Sequence, residues 1–180
     1  KSATISAAVT GSPGVSKYGT GTLTLSGNNT YSGATVINAG TISVSSLANG
    51  GSNSNLGSSS SSSANLLLLG GTLSYTGSGH STDRLFTIGT SGGTLISSGS
   101  GALNLTNTGS VTFNGAGTRT LTLGGTNTGN NILSASVNNN DGNATSITKS
   151  GSGKWILTGN NSATGTVTIS GGTLQIGNGG

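Results

Sequence analysis

The sequence predicts an all-β fold wound as a β-solenoid, and three observations lead there. Residues 17–44 return as residues 149–176 without insertion or deletion, a shift of 132 positions. Within each copy the apolar strand pattern recurs 19 residues on: Leu23 and Leu25 are followed by Ile42 and Val44, and Trp155 and Leu157 by Leu174 and Ile176. Short alternating segments bounded by Gly and Asn fill the chain, in a composition with 35 Gly, one Pro and 4% charged residues. A unit of about 20 residues cannot bury its own apolar face, so such units stack.

Taken in order, the expected strands are 22–25, 34–38, 41–44, 66–69, 72–75, 85–88, 94–96, 102–105, 110–113, 120–123, 131–137, 145–148, 154–157, 166–169 and 173–176. Gly and Asn interrupt them too often, and β-branched residues are too common, for helices. Alternation turns Leu103, Leu105, Val111, Phe113, Leu121 and Leu123 inward and leaves Asn104, Thr120 and Thr122 to solvent. The connectors are too short for crossover helices, which excludes a doubly wound sheet. A sandwich or barrel would pair successive strands through hairpins, for which Asn114-Gly115 is the nearest signal. A 19-residue spacing of equivalent pairs instead places each strand beside its counterpart one coil later. Coils of about 20 to 24 residues give roughly seven to nine rungs, spanning about 40 Å along the axis.

On this reading residues 1–180 form one continuous segment of a longer array. Leu25, Ile42, Leu105, Leu123, Leu157, Ile169 and Leu174 are expected in a single axial core, with Trp155, which aligns with inward-facing Leu23. Gly33 and Gly165 are expected where a β-carbon would obstruct a corner or where φ is positive. Residues 45–65, which include six consecutive serines at 58–63, break the rhythm and are expected to bulge from one coil; 138–143 is a second, shorter loop.

The chemistry that such a surface could carry is sparse. No Cys is present, which removes disulfides and thiolate metal sites. No run approaches the ~18 apolar residues of a membrane helix and no signal-peptide core is visible, so membrane insertion by this segment is not expected and any export signal or anchor is expected elsewhere. Lys1, Lys17, Arg84, Arg119, Lys149 and Lys154 are scattered rather than aligned into a phosphate-tracking stripe, which argues against nucleic acid. The carboxylates are Asp83 and Asp141 alone, 58 residues apart, so the paired acids of polysaccharide hydrolysis are missing.

His80, Ser81 and Asp83 have the residue types of a catalytic triad but adjoin one another in a Gly/Ser stretch, and read as a solvated turn. Asn140-Asp141-Gly142-Asn143 offers one carboxylate, too few for a firm Ca²⁺ site, and also reads as a turn. Gly124-Gly125 is followed by Thr126, with no Asp in the register of a calcium-binding nonapeptide. Asn28, Asn104, Asn143 and Asn160 open glycosylation triplets, which arise by chance in a chain this rich in Asn, Ser and Thr. Asn28-Asn29 and Asn160-Asn161 are expected to stack as amide ladders at equivalent corners. Tyr18, Tyr31 and Tyr75 would stack on sugars only if exposed. No catalytic, cofactor-binding or metal-binding residue is therefore assigned, and no cofactor is required.

The stretch from Gly19 to Ile42, GTGTLTLSGNNTYSGATVINAGTI, resembles the autotransporter-associated β-strand repeat of large bacterial surface and secreted proteins. KSGSGKWILTGNN with GTVTISGGTLQIGNGG is similar to the same repeat, departing where Ala163 stands in place of Tyr31, and the intervening segments resemble connecting coils. The resemblance implies a right-handed parallel β-helix within an exported passenger, extracellular or on the surface of a Gram-negative-type cell. The expected role is mechanical and non-enzymatic, a rigid stalk, spacer or fibre-forming segment. The alternative is an adhesin segment that itself binds a surface or glycan, and a remote one is a β-helical polysaccharide-degrading enzyme. From Lys1 to Gly179-Gly180 no capping helix or charge-studded edge strand appears, so the expected partners are further coils of the same chain or copies joined end to end.

Overall fold

The computed structural model describes residues 1–177, so the Gly179-Gly180 end lies outside it. Its strands are β1 (Ala3–Ile5), β2 (Val15–Lys17), β3 (Thr22–Leu25), β4 (Thr35–Ile37), β5 (Thr41–Val44) and β6 (Leu66–Leu68). They continue with β7 (Thr72–Tyr75), β8 (Ser78–Thr82), β9 (Thr87–Gly89), β10 (Gly93–Ser97), β11 (Gly101–Leu105) and β12 (Thr112–Asn114). The last are β13 (Arg119–Gly124), β14 (Asn131–Leu133), β15 (Thr145–Lys149), β16 (Lys154–Leu157), β17 (Val167–Ile169) and β18 (Thr173–Ile176). A single 3₁₀ turn at Ser63–Asn65 is the helical element among the described residues.

The strands form three parallel sheets, the three faces of a β-solenoid. The first face has eight strands in the order β1-β3-β5-β7-β10-β13-β15-β17, the second runs β18-β16-β14-β11-β8, and the third β12-β9-β6-β4-β2. One strand per coil on the first face gives about eight coils, within the expected seven to nine. Leu23 pairs with Ile42 and Leu25 with Val44, and Trp155 pairs with Leu174 and Leu157 with Ile176, so the 19-residue recurrence is the coil-to-coil register. Down the first face Ala3, Leu23, Ile42, Leu73, Leu95, Leu123, Lys149 and Ile169 occupy one inward column. The intervals between these numbers run from 19 to 31, wider than the expected coil length, because corners absorb insertions of different size. Outward on the same face Thr22, Thr41, Thr72, Thr94, Thr122, Thr148 and Thr168 stand in one uninterrupted row.

The two sequence copies do not lie above one another. The first uses β2 and β4 on the third face with β3 and β5 on the first; the second uses β15 and β17 on the first face with β16 and β18 on the second. The repeat is thus a unit of strand, corner and strand that packs equally well one face further round.

Leu25, Ile42, Leu105, Leu123, Leu157 and Trp155 are buried in one axial core, and Leu174 is partly buried against it. Ile169 departs from the expectation: it is 55% exposed, with Val167 at 54% and Ile176 at 65%. These residues belong to the last described coil, which is covered from one side only. Their equivalents in the first copy, Ile37, Thr35 and Val44, are buried beneath β6 and β7.

Three strands lie where none is expected: β1, β2 and β8. Residues 45–65 connect β5 to β6 and are more than a bulge, because Leu47 and Leu56 enter the core and Ser54, Asn55 and Ser59 are buried. Asn114-Gly115 forms no hairpin; Gly115, at φ 79°, turns the chain from the third face to the first.

Candidate functional site

Four of the six basic residues, Lys17, Arg84, Arg119 and Lys149, are buried, so the basic pI does not describe the surface. Each is held by main-chain oxygen. Lys17 Nζ donates to the carbonyls of Tyr18 at 2.8 Å, Gly19 at 2.6 Å and Ala39 at 3.3 Å. Lys149 Nζ, 132 positions on, donates to Ser150 at 2.6 Å, Gly151 at 2.9 Å and Gly171 at 3.0 Å. The corner that presents these carbonyls needs glycine: Gly19 and Gly151 have φ of 70° and 68°, and Gly40 and Gly172 have 68° and 65°. Burial pushes the Lys149 ammonium below the usual lysine range.

Arg84 fixes residues 48–59 to the coil below. Its guanidinium donates to the carbonyls of Ala48, Ser52, Gly57 and Ser59 and to the Ser59 hydroxyl. Arg119 donates to the carbonyls of Ile88 at 3.0 Å, Gly115 at 2.8 Å and Gly117 at 2.8 Å, and lies 4.8 Å over the Phe113 ring. Desolvation pushes both guanidinium groups below their ordinary range.

The residue types of a triad are separated by their strand. His80 and Ser81 are successive positions of β8 rather than a turn, so their side chains leave opposite faces of the sheet. His80 Nδ1 is 2.7 Å from Tyr75 Oη, and Asp83 Oδ1 accepts the Gly50 N–H at 2.7 Å. Asn140 and Asn143 bond each other's backbone in a turn, with Asp141 at φ 46°. The asparagine ladders do not form. Asn28 and Asn160 are exposed, whereas Asn29 and Asn161 reach the backbone one coil earlier and accept the N–H of Val9 and Val137, each at 2.8 Å. A strand edge leaves such N–H groups unpaired at corners, and one side-chain oxygen satisfies each. Tyr31, Tyr75 and Trp155 are buried; Tyr18 is 71% exposed.

One cleft of about 250 Å³ is lined by Thr90, Ser91, Gly92, Thr118, Arg119, Thr120 and Ser146. It lies where the third face turns into the first, across three coils, and Thr120 and Ser146 are register partners beside the threonine row. The sequence alone does not reveal it, because its walls come from coils of unequal length. The lysine cages did have a sequence signal, since Lys17 and Lys149 are matched positions of the repeat, yet scatter along the chain does not tell a caged cation from a solvated one.

Comparison with known proteins follows the same boundaries. The model of a family described as the passenger-associated-transport-repeat matches residues 15–44 and 147–176, each starting two residues before the repeats found by inspection. The chain is 52% identical over 83 residues to a protein of Brucella suis biovar 1 (strain 1330) named "Adhesin BmaC autotransporter". That alignment covers 46% of this chain and 2% of the relative, so the chain corresponds to a small part of it. No solved structure matches the chain significantly. Residues 15–44 and 147–176 thus match the passenger-associated-transport-repeat, and the resemblance to autotransporter passengers read from the sequence holds.

Proposed function

We propose that this chain is a rigid spacer within an autotransporter-type passenger displayed outside a Gram-negative-type cell, and that its role is mechanical rather than enzymatic. The observation that carries this reading is the first face: eight parallel strands joined in one continuous sheet, whose backbone hydrogen bonds run along the axis. Tension along the solenoid loads those bonds in series. The side chains serve the same end, since the buried cations and asparagines satisfy corner carbonyls and N–H groups that a coil cannot pair with its own backbone. The two passenger repeats and the adhesin-named relative support placement in a surface protein.

The test is a swap within a surface protein that carries this segment. Deleting the segment should shorten the display distance by about 40 Å, the length of roughly eight rungs at ~4.8 Å. Inserting an unrelated parallel solenoid of equal coil number should restore it, measured by force-microscopy contour length on cells. An unchanged display distance on deletion, or no recovery of it with the inserted solenoid, would contradict the spacer role.

A further inference from the structure

We propose that the cleft between Thr90–Gly92, Thr118–Thr120 and Ser146 holds the acidic group of a negatively charged glycan, a carboxylate or sulfate carried on a hydroxylated sugar. This goes beyond the spacer reading, which stands whether or not the cleft is occupied.

Two independent features point to such a ligand. Thr90, Ser91, Thr118, Thr120 and Ser146 all line the cleft, and the hydroxyl of none is hydrogen-bonded to another protein group, as along the outward threonine row. Five residues with unbonded hydroxyls around about 250 Å³ suit one sugar unit, whose hydroxyls both donate and accept. Gly92, at φ 80°, also lines the cleft, where a β-carbon would stand 2.7 Å from the Thr120 carbonyl oxygen.

The second feature is an uncompensated charge. Arg119 lines the cleft, is 4% exposed, and its Nε–H has no partner, while its other nitrogens face only carbonyl oxygens. With its Nε buried, the guanidinium acts on the cleft through its field rather than by contact: a cation held by neutral dipoles and the Phe113 ring keeps a field outside its cage, and an anion in the adjoining cleft is the charge it lacks. Neither carboxylate of the chain fills that role: Asp83 caps Gly50 and Asp141 sits in the exposed turn. The rest of the face suits an uncharged polymer backbone, because the row from Thr22 to Thr168 carries no ionisable side chain. Nucleic acid would require a series of such cations, and the cleft offers one.

Binding of the 180-residue chain to polygalacturonate, dextran sulfate, neutral dextran and single-stranded DNA, read by surface plasmon resonance, tests the proposal. The expected result is binding to at least one acidic polysaccharide, weakened by salt, with none to neutral dextran. Thr118→Glu places a carboxylate in the cleft and should weaken that binding about tenfold or more, whereas Thr24→Glu, on the same face but away from the cleft, should leave it unchanged. Far-ultraviolet circular dichroism verifies that both variants fold. Three results would overturn the proposal: no binding to either acidic polysaccharide, equal losses in the two variants, or DNA or neutral dextran bound as tightly as the acidic polymers.

Discussion

At the scale of single residues, the chain solves the corner problem with a few long polar side chains reaching into the backbone. Lys149 is the clearest case, and Lys149→Met would leave three carbonyls without a donor. A buried unpaired acceptor costs about 1–3 kcal/mol, and since these carbonyls are only partly buried a total loss of about 1–3 kcal/mol is expected in urea denaturation. An unchanged midpoint would mean that water replaces the ammonium. Burial also raises the Tyr31 and Tyr75 hydroxyls above the ordinary tyrosine value of 10.0. Above pH 10 the unfolded chain loses these protons while the folded chain keeps them, so stability should fall as pH rises from 10 toward the folded-state values. Lys149 acts with the opposite sign: its lowered value makes the fold gain stability as pH rises toward 10.5. Melting temperatures of the chain and of the Tyr31→Phe/Tyr75→Phe variant between pH 9 and 11 separate the two, and the variant should lose the downward component. Parallel curves would remove the tyrosines from the account. Residues of this kind are the least legible in the sequence, because a lysine or asparagine in a Gly-rich stretch has the same composition whether it is solvated or caged. The one sequence signal for Lys17 and Lys149 is position, their return at the same place in two copies, and the hydrogen bonds give it its meaning.

At the scale of strands and corners, Gly33 and Gly165 illustrate how the repeat fixes a coil. Neither has positive φ; each is required because the neighbouring coil passes too close. A β-carbon at Gly33 would lie 2.4 Å from the Gly14 nitrogen, and one at Gly165 2.4 Å from the Thr145 carbonyl oxygen. Gly19 differs, having φ of 70° with nothing within 4 Å of an added β-carbon. Gly19→Ala should therefore cost about 1 kcal/mol of strain, and Gly33→Ala and Gly165→Ala distinctly more, since backbone must move. Thermal melts giving the reverse order would show that conformation, not clearance, selects glycine here. The strands themselves were largely legible. Alternating apolar residues marked Thr22–Leu25, Thr41–Val44, Thr72–Tyr75, Lys154–Leu157 and Thr173–Ile176 at their observed bounds. Ser78–Thr82 escaped because its residues, SGHST, have no apolar member, and pairing with β11 alone makes it a strand. Coil length was less legible than coil number, since the insertions sit at corners and leave the inward column intact.

At the scale of the molecule, stability is a sum over neighbouring coils, and the ends differ from the middle. Leu123→Asp puts an unpaired charge in the core between β10 and β15 and should unfold the coils around it, which circular dichroism would report as lost strand signal at room temperature. Val167, Ile169 and Ile176 leave an apolar strand edge at the last described coil, so the chain in isolation should self-associate at micromolar concentration. Val167→Lys/Ile176→Lys should return it toward monomer in sedimentation velocity; equal association by the variant would place the contact elsewhere. The shift of the repeat by one face means that successive copies, if the array continues at 132 residues, present any surface feature turned one face about the axis. The central claim, a one-dimensional stack held by bonds along its axis, is tested most directly by hydrogen exchange resolved coil by coil. The account predicts slowest exchange in β7, β10 and β13, intermediate rates in β5 and β15, and fastest in β1, β17 and β18. Uniform protection from β1 to β18, lost in a single global step, would contradict it.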